Sequence, residues 1–158
     1  MIRTRGRCPI GQRLIASVPH GHWKVLTTIG ALTLRGILTA VTVDAPTDSE
    51  IFRSFVTDAL GPVLRPEHIV VMDNLQPHKA AGVKQMIEST GAQLIYLPPY
   101  SPDFNPIEPA WSKIKQHLRH LAARTLEMLG EGVAEALRLI TPQDASGYFR
   151  HCGYATSG

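Results

Sequence analysis

Two periods of apolar residues alternate along the chain, and their order gives the first expectation of fold. Residues 25–32 and 36–43 are rich in β-branched side chains, and the short link Thr33-Leu34-Arg35-Gly36 suits a hairpin between two strands. Residues 49–60 change to a helical period, with Ile51, Phe52, Phe55, Val56 and Leu60 on one face. The run Ile69-Val70-Val71-Met72 after His68 is continuously apolar, as expected of a strand covered on both faces, and it stops at Asp73-Asn74. Residues 79–90 read as a helix with Val83, Met86 and Ile87 inward and Gly91 just past its end. A short strand over 93–97 leads into a loop holding Pro98, Pro99, Pro102 and Pro106. Pro106 suits the first position of a helix running to Leu121, and a last helical stretch covers 126–140 before a Gly/Ser-containing tail. Strands alternating with helices predict a layered α/β domain built on one mixed sheet.

The helix over 106–121 carries two stripes. Ile107, Ala110, Trp111, Ile114, Leu118 and Leu121 form an apolar face for the core. Glu108, Ser112, Lys115 and Arg119 form a second face beside it. Glu108 matters because Asp73, 35 positions earlier, stands where a buried strand ends. In open α/β sheets reactive groups gather at the carboxyl ends of strands, and a helix returning over that edge can bring the two acids together. A carboxylate pair suits hard divalent cations such as Mg²⁺ or Mn²⁺, and two such ions support in-line displacement at phosphorus. Plainer roles compete at both positions. Asp73 followed by Asn74 can close an Asx-turn, and Asn105-Pro106-Ile107-Glu108 fits a capping box.

Composition sharpens this only a little. Of 158 residues, 44% are hydrophobic and 18% charged, which describes a globular chain with room for a core. The net charge of +3 permits nucleic-acid binding without requiring it. Arg3, Arg5, Arg7, Arg13 and Lys24 fall in an irregular basic arm over residues 1–24. Cys8 and Cys152 stand far apart, giving neither a disulfide framework nor zinc spacing. No apolar run approaches membrane-spanning length, and the basic start has no apolar stretch behind it. The expectation is a cytoplasmic protein with no membrane contact.

Residues 69–79, Ile-Val-Val-Met-Asp-Asn-Leu-Gln-Pro-His-Lys, resemble the second-aspartate motif of mariner-type insertion-sequence transposases of the DDE superfamily. Residues 97–111, Leu-Pro-Pro-Tyr-Ser-Pro-Asp-Phe-Asn-Pro-Ile-Glu-Pro-Ala-Trp, resemble that family's third-acid motif. The resemblance implies an RNase H-like mixed sheet flanked by helices and a triad of acids binding two divalent metals. Asp73 would be the second acid and Glu108 the third. The implied activity is cleavage of phosphodiester bonds at transposon ends followed by strand transfer into target DNA. The implied partners are those DNAs, a homo-oligomer, or an upstream-encoded transposase fragment.

The family's first acid lies on a first strand ahead of the segment resembling Arg3–Arg13, and this sequence carries no counterpart. An N-terminally truncated transposase domain is therefore expected, with residues 1–125 a partial catalytic domain and 126–158 its helical extension and tail. The competing expectation is an inactive remnant that binds DNA or a full-length transposase without cutting. Lys115, Arg119, Arg3, Arg5, Arg7, His78 and Lys79 are the candidate DNA contacts. Asp44 ends a strand, but the resemblance places it after the hairpin and away from the ligand set. His20 with His22, and His117 with His120, lack a third ligand nearby and read as surface residues.

Overall fold

The computed structural model describes residues 9–11 and 25–155. Arg3, Arg5, Arg7, Cys8, Arg13, His20 and His22 lie outside the described residues, so the basic arm and the first histidine pair are not placed.

The expected hairpin forms. Strand β1 (Thr27–Thr33) pairs antiparallel with β2 (Gly36–Val43), with one irregularity between Ala31 and Leu32. Its turn depends on Gly36, whose φ is 111° and where a Cβ would lie 2.8 Å from the Ile140 carbonyl oxygen. Both the backbone angle and the close approach require glycine there. Asp48 then starts helix α1 (Ser49–Ser54), its side chain accepting from the Glu50 and Ile51 N–H groups. The helical path continues as a π-helical stretch, Phe55–Leu60, and a 3-10 turn, Gly61–Val63.

Strand β3 (Ile69–Met72) and strand β4 (Gln93–Tyr96) pair in parallel, Ile69 opposite Gln93 and Met72 opposite Tyr96. The connection between them differs from the single helix expected over 79–90. A 3-10 turn, Gln76–Lys79, comes first, and helix α2 (Val83–Glu88) begins only after Gly82 at φ 88°. The left-handed glycine breaks the helical path, and the 3-10 turn with Pro77 at its start precedes it. Gly91, also at φ 88°, ends this helix region as the sequence suggested.

Helix α3 (Ile107–Leu121) packs on helix α4 (Leu126–Arg138). There are two buried clusters. Phe52, Phe55, Val56, Leu60, Met72, Val83, Ile87 and Ala92 hold α1, α2 and the β3–β4 pair together. Ala110, Ile114, Leu118, Val133, Ala136 and Ile140 join α3 to α4, with Leu26, Leu32 and Ile37 of the hairpin region packed against them.

Two expectations are corrected. The Gly/Ser-containing tail expected after residue 140 is helical over most of its described length. It contains helix α5 (Pro142–His151), started by a capping box in which Thr141 and Asp144 bond reciprocally. The single mixed sheet is, among the described residues, two separate two-stranded sheets, β1–β2 and β3–β4. No described strand bridges them. Ile69 at the start of β3 is 59% exposed and Val70 and Val71 are half-buried, so only Met72 of this strand is fully covered.

Helix α5 is tied to α3 by Lys113, whose Nζ lies 2.6 Å from Asp144 Oδ2. That ammonium, followed by the Thr141 bonds, lowers the Asp144 carboxyl to about 2. A carboxyl depressed on folding stabilises above its unfolded pKa and loses that contribution as pH falls through the folded one. The α5 anchor should therefore be intact above about pH 4 and weaken between pH 4 and 2. Acid unfolding followed by far-UV circular dichroism checks this. Asp144→Asn should flatten the stability change in that window, and an unchanged acid limb would contradict the anchor.

Candidate functional site

The carboxyl end of β3 and the first turn of α3 meet at one cleft of about 570 Å³. Asp73, His78, Asn105, Glu108 and Trp111 all line it. The two acids singled out in the sequence thus border a common space, although they come from different elements.

Asp73 is half-buried and fixed by its surroundings. Its Oδ1 accepts the Leu75 N–H at 3.0 Å, so the Asx-turn that the sequence allowed does form. His78 Nδ1 lies 2.6 Å from the same oxygen, but it is not aligned as a hydrogen bond. The contact is a close approach of two polar groups rather than a directed bond. Both contacts use Oδ1, so turn formation does not occupy the whole carboxylate. His78 also stacks on Phe52, ring centroids 4.3 Å apart, which seats the imidazole against the first core cluster. The turn beyond β3 is tied to the end of β4. The Leu97 N–H donates to the Met72 carbonyl at 2.8 Å, and the Asn74 amide donates to the Leu97 carbonyl. The Tyr96 hydroxyl donates to the His78 carbonyl at 2.9 Å. Burial, with Glu88 adding to it, raises the pKa of Tyr96, which keeps that donor protonated.

Glu108 is placed differently. It is exposed in the first turn of α3, and the capping box the sequence allowed does not form. The Asn105 N–H, which that box would assign to Glu108, donates instead to the Pro102 carbonyl at 2.9 Å. Asn105 Oδ1 sits 3.4 Å from the Ile107 nitrogen. Pro102, at the head of a 3-10 turn through Phe104, supplies this alternative acceptor. The Glu108 carboxylate is left as an acid at a helix start, where the aligned peptide dipoles favour negative charge.

The two stripes of α3 form as expected except at the helix end, where Leu121, placed on the core face by the sequence, is 38% exposed. Ala110, Ile114 and Leu118 are buried, and Trp111 is half-buried. Glu108, Ser112, Lys115 and Arg119 are exposed along the neighbouring face. Lys79 is exposed on the turn after β3. Asp44 lies exposed just past β2 and does not line the cleft. His120 Nδ1 is 2.8 Å from the Gln116 carbonyl, and His117 Nε2 is 3.7 Å from Glu135 Oε2. Among the described residues, no group of three or more His, Cys, Asp or Glu side chains could hold a metal ion. No described helix is long and apolar enough to cross a membrane.

Helix α5 and the segment just past it add cleft residues that sequence reasoning missed. Phe149 and Tyr154 line the cleft, and the Tyr154 hydroxyl donates to the Phe104 carbonyl at 2.9 Å. Their rings meet edge to face at 5.6 Å. The detectable signal was Thr141-Pro142-Gln143-Asp144, a capping box with proline at the first helical position.

The family pattern described as DDE superfamily endonuclease matches residues 1–129. No curated protein sequence matches significantly. Among solved structures, the chain is similar to one in the crystal structure of the Mos1 strand transfer complex, with a TM-score of 0.71 and 15% identity. The alignment covers 95% of this chain and 45% of that one, so this chain spans less than half the length of that relative. At that identity the likeness establishes the fold, in accord with the α/β, RNase H-like architecture expected.

Proposed function

The chain belongs to the DDE superfamily of endonucleases, and from that premise we propose that it is part of a mariner-type transposase domain that cuts and joins DNA with divalent metal ions. The observation supporting this is the meeting of Asp73 and an uncapped Glu108 on one cleft. Oxygen donors of this kind fit hard cations. Asp73 and Glu108 would hold Mg²⁺ or Mn²⁺, which supplies charge stabilisation for the attacking and leaving oxygens at phosphorus. The described residues provide two acids, and a further donor comes from outside them.

The other residues hold and orient DNA. Lys115 and Arg119 follow Glu108 along α3 by about 10 and 16 Å of helix rise, a row suited to backbone phosphates. Lys79 lies on the turn beyond β3, and the His78 imidazole lines the cleft beside Asp73. In this reading the partners are transposon-end and target DNA, with a second transposase chain completing the assembly.

A second reading, DNA binding without cutting, is favoured by one observation. No third acid joins Asp73 and Glu108 among the described residues. One experiment separates the two. Labelled transposon-end DNA is incubated in Mn²⁺ with the chain supplied with a segment carrying the family's first acid, and binding and nicking are read together. The first reading expects metal-dependent nicking that Asp73→Asn abolishes. It also expects Lys115→Ala and Arg119→Ala to reduce the slope of log affinity against log salt by about 0.9 each. Salt-sensitive binding with no nicking at all selects the second reading. Nicking unchanged by Asp73→Asn overturns the first.

A further inference from the structure

The loop that delivers Glu108 is thinly held. Pro98, Pro99, Tyr100, Pro102, Asp103 and Phe104 are all exposed. Among the described residues, the hydrogen bonds made by residues 98–106 close within the loop or the first turn of α3, with one exception. The exception comes from 50 positions away, where the Tyr154 hydroxyl donates to the Phe104 carbonyl at 2.9 Å. Phe104 ends the 3-10 turn, and the next residue, Asn105, accepts the Glu108 N–H at 3.1 Å. The tie therefore lands on the stretch of backbone that leads into the acid.

The end of α5 aims Tyr154. Gly153 takes φ 85°, its N–H donates to the Arg150 carbonyl, and the Tyr154 N–H donates to the Phe149 carbonyl at 3.0 Å. This is a Schellman turn, in which the residue after the glycine commonly packs back on the helix. The Tyr154 ring does so, edge to face on Phe149. That contact needs a ring but no hydroxyl, so phenylalanine would complete the turn equally well. The start of α5 is pinned separately, because Lys113 of α3 donates both to Asp144 and to the Leu139 carbonyl. Burial, with Cys152 adding to it, raises the pKa of Tyr154, so the hydroxyl keeps the proton it donates.

We propose that Tyr154 is a positioning residue for Glu108. Its hydroxyl clamps the Phe104 carbonyl, so that the loop and the first turn of α3 hold the acid at the cleft it shares with Asp73. The inference rests on the reading of Asp73 and Glu108 as metal ligands. Helix starts fray, and no side-chain cap opposes fraying at the start of α3. Release of the Phe104 carbonyl frees the backbone ahead of that turn, and Glu108 then samples more directions.

Tyr154→Phe keeps the ring and loses only the hydroxyl. Without metal, amide hydrogen exchange at Asn105 and Glu108 should quicken by about fivefold or more, with α4 unchanged. Mn²⁺ binding to the whole chain, read from the electron paramagnetic resonance of the free ion, should weaken by about tenfold, as when a group orienting a metal ligand is removed. Thr125→Ala removes the side-chain cap of α4 and so measures a general loss of stability. It should bind Mn²⁺ as the wild type does. Unchanged Mn²⁺ affinity in Tyr154→Phe, or weakening without faster exchange at the loop, would overturn the proposal. Equal weakening by Thr125→Ala would overturn it too. Glu108→Gln in the same titration tests the underlying reading separately. If it matches the wild type, the metal site itself fails and the clamp falls with it. If it loses Mn²⁺ while Tyr154→Phe does not, only the clamp fails.

Discussion

Glu108→Ala is expected to separate stability from metal response. Without metal, the substitution should shift unfolding by no more than about 0.5 kcal/mol, the usual range for a surface site free of caps and buried pairs. Glu108 is exposed, and no capping bond holds it to Asn105. A metal bound by Asp73 and Glu108 stabilises the wild type by mass action, by about 2.7 kcal/mol at a hundredfold excess over its dissociation constant. For a chain of this size that is a rise of roughly 5–11 °C in melting temperature. Glu108→Ala and Asp73→Ala should each remove most of the rise, read by thermal melts with and without millimolar Mn²⁺. A destabilisation of about 1 kcal/mol by Glu108→Ala without metal, combined with an intact Mn²⁺ response, would make Glu108 a structural residue.

Ile87→Ala should have the largest effect on the fold. Ile87 of α2 is fully buried, in the cluster with Phe52, Phe55, Val56 and Val83. Truncating a buried isoleucine removes its transfer free energy and leaves a cavity, at about 2–5 kcal/mol. The same cluster seats Phe52, on which His78 stacks beside Asp73. A destabilised cluster should therefore weaken the Mn²⁺ response as well as lower the midpoint in urea. A loss below about 1 kcal/mol would mean that this cluster is not the cooperative core.

Much of this was legible in the sequence because local rules coincided. The hairpin followed from β-branched runs around a short turn, and Gly36 at φ 111° supplies the conformation that turn needs. The apolar stripe of α3 placed Ala110, Ile114 and Leu118 in the core and left Lys115 and Arg119 exposed. The common cleft of Asp73 and Glu108 followed from strand-end chemistry together with the resemblance of two motifs.

Other features depended on competition that local patterns do not resolve. Asn105-Pro106-Ile107-Glu108 satisfies the capping-box pattern, yet Pro102 placed a carbonyl where the Asn105 N–H could use it. The helix expected over 79–90 lost its first turn because Gly82 takes a left-handed conformation that the apolar period does not encode. Helix α5 was overlooked because its apolar residues are few, although Thr141 and Asp144 signalled its start. The division into two small sheets was the hardest to foresee. The apolar run of β3 predicts cover on both faces, and it has no means of saying whether the described residues provide that cover.

The most direct test is where Mn²⁺ sits. Crystals of the chain soaked in millimolar Mn²⁺ should show anomalous density at the cleft, with carboxylate oxygens of both Asp73 and Glu108 about 2.1–2.3 Å from the ion. Asp73→Asn and Glu108→Gln crystals treated identically should lose it. Manganese bound elsewhere, or density on one carboxylate with the other turned to solvent, would contradict the shared site on which the proposed DNA chemistry depends.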